Sequence, residues 1–260
     1  MNRKGIILAG GEGSRLYPLT KDTSKQLLPI YNKPMIYYPL SLLMLGGINE
    51  FLIITTPRDS ESFRSLLGNG EQWNISISYE QQSEPKGIAE SLLIGEKWLN
   101  DSHSALILGD NFFFGHGLPE LLRSSFLSKE GSTIFLHKVA DPERYGVAKF
   151  DKNNQIIAIE EKPKEVFSNW AVTGLYCYDK NAPAYAKDLS PSERGELEIT
   201  DLNNIYLSRG ELKTEFLGQG FTWLDMGTHD SLLEVSNFVK IVEQRQGIRI
   251  ADLDDLKMQD

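Results

Sequence analysis

Apolar and polar positions follow two rhythms along this chain. Residues 4–9, KGIILA, form a short apolar run that stops at Gly10, Gly11 and Gly13, the pattern of a buried strand feeding a tight loop. FLIITT from Phe51, ISISYE from Ile75 and SALILG from Ser104 repeat it. Stretches with helical spacing lie between these runs. The clearest spans residues 87–99, where Ile88, Ala89, Leu92, Leu93 and Leu99 share a face and Glu90, Glu96 and Lys97 lie elsewhere. Strands alternating with helices over the first 115 residues predict an α/β, Rossmann-like fold with a mostly parallel sheet flanked by helices. Right-handed crossovers then gather the strand carboxyl ends at one edge, where such sheets bind ligands.

The second half changes rhythm. TIFLHKV, GVAKFD, IIAIEE and VTGLYCYD follow one another with few helical interruptions, which predicts a mixed sheet whose extra strands cover one side of a cleft. A helix from Thr200 to about Arg209 follows, then a long one from about Thr228 to Gln246 with Leu232, Val235, Val239 and Val242 on one stripe. No linker-like composition and no internal repeat interrupts the chain, so residues 1–260 read as one domain with two lobes, 1–115 and 116–250. Residues 251–260, ADLDDLKMQD, read as a solvated acidic tail.

Composition narrows the function. With 260 residues and 40% hydrophobic content, the chain has material for a substantial core. A formal charge of −9 argues against a broad nucleic-acid or anionic-membrane surface, and no run of about 18 apolar residues predicts a membrane span. The amino terminus has no signal-peptide pattern, and the expected setting is cytoplasmic. The single cysteine, Cys177, excludes an intramolecular disulfide and reads as a small apolar strand residue. His103, His116, His137 and His229 lack metal-ligand spacing, and there is no G-x-S-x-G elbow. A small anionic ligand then requires a local reversal of charge.

The glycine loop offers one. Gly10, Gly11 and Gly13 allow backbone N–H groups to approach a phosphate, and Arg15 and Lys25 follow to neutralise it. A dinucleotide fingerprint would place its third glycine where Leu16 stands, and a Walker loop would need Gly-Lys-Ser/Thr where the chain has Gly13-Ser14-Arg15. A plain tight turn remains the simpler alternative. Asp110 ends the run LILG, and Asp225 ends FTWL. Carboxylates beside a triphosphate require a hard cation such as Mg²⁺ between them, although each aspartate equally suits a strand end or, at Asp225, a helix cap. Lys162, in EEKP, suits either a second phosphate or an ordinary surface.

The segment LAGGEGSRLYPLTKDTSKQLLPIYNKPMIYYPL, with GIAES, LGDN, DPERYGV, EEKP, VTGLYCYD, RGELEITD and WLDMGTHDSLLEVSNF following in order, resembles the sugar-nucleotide pyrophosphorylases, and among them the thymidylyltransferase branch. The resemblance covers nearly the whole chain. It implies a nucleotide-diphospho-sugar transferase-like fold, Mg²⁺ as cofactor, dTTP and glucose 1-phosphate as substrates, and a homo-oligomer, dimer or tetramer. It implies metal ligands at Asp110 and Asp225 and catalytic roles for Arg15, Lys25 and Lys162. The nucleotide contacts it implies are Leu8, Gly10, Gly11, Gly13, Ser14, Arg15, Lys25, Gln26, Gln82, Gly87 and Asp110. Those to the sugar and its phosphate are Asn111, Tyr145, Gly146, Glu161, Lys162, Val172, Arg194 and Trp223.

The chemistry expected is in-line attack of the sugar phosphate on the α-phosphorus of the triphosphate, with pyrophosphate leaving and no side-chain nucleophile. A non-catalytic nucleotide-sugar binder of the same fold is the alternative from another class. UTP or another sugar 1-phosphate also stays open, because one methyl in a pocket changes binding by only about 1–3 kcal/mol. The chain departs from the branch in reading LGDNFFFG where a tyrosine often stands among the aromatics, and LDMGT where LDTGT is frequent. Many members continue with further helices after the region matching residues 228–247, whereas this sequence reads as a form with a shortened C-terminus.

Overall fold

The computed structural model describes residues 3–11 and 13–257. Its strands are β1 (Arg3–Ala9), β2 (Pro29–Ile30), β3 (Lys33–Pro34), β4 (Glu50–Thr55), β5 (Ser76–Gln81), β6 (His103–Leu108), β7 (Asn111–Gly115), β8 (Ser132–Lys138), β9 (Gly146–Phe150), β10 (Ile156–Glu161), β11 (Trp170–Tyr178), β12 (Leu212–Leu217) and β13 (Phe221–Asp225). Its helices are α1 (Tyr37–Leu45), α2 (Ser60–Leu67), α3 (Glu90–Leu99), α4 (Leu118–Phe126), α5 (Ala182–Lys187), α6 (Ile199–Ser208), α7 (His229–Gln246) and α8 (Leu253–Lys257).

One nine-stranded mixed sheet runs through both halves of the chain in the order β10-β9-β11-β6-β1-β4-β5, with β8 joined to β11 and β12 joined to β8. The pairs β6/β1, β1/β4 and β4/β5 are parallel, as the apolar runs of the first half predict. Alternation along these strands sorts side chains to two helical layers. Ile7, Phe51, Ile53 and Ile107 pack with α1, α2 and α4, whereas Ile6, Leu52, Ile54 and Leu106 pack with α3, α5 and α6. A third cluster seats Val235, Val239 and Val242 of α7 against Ile30, Met35, Tyr38 and Phe112.

The extra strands enter at β11, which lies antiparallel to β6, β8 and β9. Ala171 pairs with His137 of β8 and Val147 of β9, and Tyr176 pairs with Ile134 of β8 and Leu106 of β6. β8 therefore holds one edge of β11, while β9 and β6 share the other end to end. Between them the register of β11 is interrupted from Val172 to Tyr176, which opens the sheet beside Gly174.

Two expectations are corrected. The helix predicted over residues 87–99 begins at Glu90, because Gly87 adopts a φ of 99° and the Leu197 carbonyl accepts from the Ala89 N–H. Residues 251–257 are not a solvated tail. Residues 253–257 of them form α8, with Leu253 2% exposed in the main core and Asp254 accepting from the Trp73 indole N–H at 3.1 Å. Leu253, Leu256 and the Asp254–Trp73 hydrogen bond dock this short helix, while Asp255 is exposed; residues 258–260 of the predicted tail lie outside the described residues. No helix among the described residues is long and apolar enough to cross a membrane.

Leu253→Ala is expected to lower the unfolding free energy by about 2–4 kcal/mol, read from urea unfolding. An unaltered midpoint would show that α8 contributes nothing to the core.

Candidate active site

The opening in the sheet is the floor of a cleft of ≈ 660 Å³. Asn111 closes it from below. Its side-chain carbonyl accepts from the Gly174 N–H at 3.1 Å and from the Trp223 indole N–H at 2.7 Å, and its amide donates to Asp110 at 3.2 Å. A Cβ at Gly174 would lie 2.5 Å from that carbonyl oxygen, so only glycine admits the contact. One buried amide thus ties together β7, β11 and β13 and orients Asp110. Asn111 lines the cleft, with its side-chain carbonyl engaged by two protein donors and one amide N–H given to Asp110.

The two aspartates meet through the antiparallel β7–β13 ribbon. Asp225 pairs with Asn111, and the Met226 N–H donates to the Asp110 carbonyl oxygen at 2.8 Å. Thr228, not Asp225, caps α7, accepting from the Ser231 N–H, so the capping alternative for Asp225 falls away. Met226, which replaces a hydroxyl residue frequent in the resembling family, is fully buried in the α7 cluster.

Charge is arranged around this pair. The Lys25 ammonium binds Asp110 directly. A Cβ at Gly11 would lie 3.7 Å from that ammonium, so Lys25 sits between the glycine loop and Asp110. Arg15 and Arg144 approach one oxygen of Asp225 at 3.9 and 3.8 Å. Gly227 leaves room for Arg15, since a Cβ there would clash with the guanidinium at 2.7 Å. Burial tends to raise Asp110, but the charge and hydrogen bond of Lys25 and the Asn111 amide outweigh it and hold the carboxyl below its ordinary value. Asp225 lacks such a direct bond, and burial together with the facing Asp110 charge pushes it up to about 6. Among the described residues no cluster of three or more His, Cys, Asp or Glu side chains forms a metal cage.

On the opposite wall, Lys162 holds a left-handed backbone (φ 45°), with its N–H donating to the Tyr145 carbonyl oxygen at 2.9 Å. Its ammonium, half exposed, lies 3.9 Å from Glu161. Glu161 accepts from the Thr200 hydroxyl at 2.7 Å, and Arg194, bound mainly to Glu198 at 2.8 Å, reaches Glu161 at 3.6 Å. Tyr145 and Trp223 pack with ring centroids 4.9 Å apart.

Of the residues singled out in the sequence, Arg15, Asp110, Asn111, Tyr145, Gly146, Glu161, Lys162, Val172, Trp223 and Asp225 line this cleft. Gly10, Gly11, Gly13, Ser14 and Lys25 form the adjoining loop, Gly13 with a φ of 65° and its carbonyl bound by the Thr20 hydroxyl at 2.8 Å. Leu8 and Gln26 are buried beneath that loop. Gln82 lies against Gly10, joined by its amide to the Gly87 carbonyl at 3.1 Å. Arg194 stands behind Glu161, outside the lining. Arg144, Thr200 and Gly174 also line the cleft, although sequence reasoning assigned them no role. All three stand inside motifs it quoted, DPERYGV, RGELEITD and VTGLYCYD.

The family model for nucleotidyl transferases matches residues 4–241. A glucose-1-phosphate thymidylyltransferase of Xanthomonas campestris is 56% identical over 248 residues, covering 95% of this chain and 84% of the relative. One from Neisseria meningitidis is 52% identical, covering 97% and 88%. A Bacillus anthracis protein of the glucose-1-phosphate thymidylyltransferase type, solved with sucrose, superposes with a TM-score of 0.83 at 44% identity, covering 91% of this chain and 94% of that one. A UDP-glucose pyrophosphorylase complexed with UDP-glucose gives 0.82 at 25% identity, covering 94% and 100%. With its fold and sequence matched along nearly its full length, the chain belongs to the nucleotidyl transferase family, among the glucose-1-phosphate thymidylyltransferases.

Proposed function

We propose that the protein transfers a thymidylyl group from dTTP to α-D-glucose 1-phosphate, forming dTDP-glucose and pyrophosphate, the first step towards dTDP-deoxysugars. The observation that carries this reading is the convergence of Asp110 and Asp225 with Arg15, Lys25, Arg144 and Lys162 around one cleft in a chain of net charge −9. Such a constellation serves two anionic substrates that must be brought together.

Residues 1–115 would hold the nucleotide and residues 116–250 the sugar phosphate. The glycine loop, Arg15 and Lys25 neutralise the triphosphate and the departing pyrophosphate, and Lys162 aligns the attacking phosphate oxygen from the opposite wall. Glu161, oriented by Thr200, accepts from sugar hydroxyls, while Tyr145, Val172 and Trp223 exclude water. Two buried, mutually repelling carboxylates fit Mg²⁺, which is commonly held by one or two carboxylates with substrate oxygens and water. Held by Asp110 and Asp225, it would screen the triphosphate and polarise the α-phosphate. This reading includes a symmetric homo-oligomer, dimer or tetramer, working in the cytoplasm.

Purified protein with Mg²⁺, dTTP and glucose 1-phosphate is expected to release pyrophosphate, and a chelator to stop it. Ligand binding without pyrophosphate release would favour a non-catalytic binder instead. Lys162→Ala is expected to lower kcat/KM for glucose 1-phosphate by about 10²-fold or more with the circular dichroism spectrum preserved. A rate near that of the parent protein would remove Lys162 from the mechanism.

Asp225 titrates at about 6 in the folded chain and near 4 when unfolded. The stability gained from its protonation is complete below about pH 4 and lost as pH rises through 6. Asp225→Asn is therefore expected to raise the melting temperature of the metal-free protein near pH 8 and to lose that advantage towards pH 4, while turnover falls about 10²-fold or more. Thermal melts across this range check the sign, and Mg²⁺ is expected to narrow the difference near pH 8.

A further inference from the structure

Glu90, in the first turn of α3, touches Gln82, one of the nucleotide contacts that the resemblance implies, without belonging to the cleft walls. Gln82 is 5% exposed, and its amide nitrogen donates to the Gly87 carbonyl oxygen at 3.1 Å and to Glu90 Oε2 at 2.6 Å. A carbonyl and an ionised carboxylate only accept, so the group between them must be the NH₂. The reverse orientation would press the Gln82 oxygen against two acceptors and leave them without donors. Both N–H bonds of Gln82 are spent on these partners, and Oε1 is left as its remaining functional group.

That oxygen points at the glycine loop. A Cβ on Gly10 would lie 2.8 Å from Oε1, so the first glycine of the loop leaves space for it. The two acceptors are themselves fixed. Glu90 is held by α3, where an acidic residue suits the helix amino end. Gly87 is clasped by the chain opposite: the Leu197 N–H donates to the Lys86 carbonyl at 2.7 Å, and a Cβ at Gly87 would strike Leu197 at 2.4 Å.

We infer that Glu90 is a positioning residue that locks the Gln82 amide with its carbonyl oxygen towards the nucleotide, and thereby selects a pyrimidine with a ring N–H on its pairing edge. The inference rests on the nucleotidyl-transfer reading above and deepens it. Thymine and uracil carry such an N–H between two carbonyls. Cytosine presents a bare ring nitrogen at the same position, and its lone pair would face that of Oε1. With Glu90 removed, the amide is held by Gly87 alone and turns at lower cost to offer an N–H.

The test compares the full-length protein with Glu90→Ala and Glu90→Gln, measuring pyrophosphate release with glucose 1-phosphate, Mg²⁺ and either dTTP or dCTP. Alanine is the best helix former, so the first variant keeps α3, which its melting curve verifies. The parent is expected to prefer dTTP. Glu90→Ala is expected to reduce the dTTP-to-dCTP ratio of kcat/KM by about tenfold, the scale of one hydrogen bond, through KM for the triphosphate more than through kcat. Glu90→Gln, whose amide oxygen still accepts from Gln82, is expected to recover most of the ratio. Calorimetric titration of dTTP and dCTP without sugar phosphate reads the same preference where turnover is absent, which separates failure of this inference from failure of the proposed reaction. Equal ratios in the parent and Glu90→Ala, or a parent that binds dCTP as tightly as dTTP, or neither, overturn the role of Glu90.

Discussion

The β7–β13 ribbon holds Asp225 against the segment that carries Asp110, with the Met226 N–H bonded to the Asp110 carbonyl, and so keeps two repelling carboxylates side by side. Backbone hydrogen bonds enforce a proximity that side-chain electrostatics opposes, and the neighbouring charges divide the consequences. Lys25 satisfies Asp110 directly, whereas Asp225 has only two arginines at the outer limit of an ion pair and is pushed towards protonation. A cation placed between the two carboxylates would relieve a repulsion already present in the fold. Stability withheld at Asp225 is available as binding energy.

Asn111 links this electrostatic centre to the architecture. It lies where β6 and β9 abut along one edge of β11, and its amide replaces ladder hydrogen bonds that the interrupted strand leaves unmade. The same amide holds the Trp223 indole N–H, which turns that ring into the wall shared with Tyr145. The sheet's discontinuity is therefore what allows the cleft to exist, and a glycine at 174 is what allows it to be closed underneath. Gln82 follows similar logic at the other end of the site. In each case a buried amide has its orientation dictated by partners that can only donate or only accept.

The chain itself determined a good deal. Buried parallel strands read as apolar runs because both faces meet helices, which is why β1, β4, β5 and β6 were legible within a residue or so. Val235, Val239 and Val242 announced the buried stripe of α7 for the corresponding reason of helical period. The glycine loop, its cations and both aspartates were legible because phosphate chemistry restricts residue type, and ordered motif resemblance supplied most of the sugar side. β7 and β12 had no comparable signal. The first is an aromatic run, Phe112 to Phe114, whose pairing with β13 depends on residues more than a hundred positions away. The second has mixed burial at the sheet edge.

Only tertiary structure decided the remainder. Sequence does not show that Asp225 meets Asp110, that Arg144 shares it with Arg15, or that Thr200 steadies Glu161, because each contact joins segments brought together by the sheet order. It does not show that Leu253 and Leu256 dock an acidic end onto the core, since two apolar residues within one short turn are too few for a periodic signal. Local pattern records what a residue's immediate neighbours require. Orientation, pairing and charge balance are set by groups distant along the chain, and these fix how the cleft is arranged.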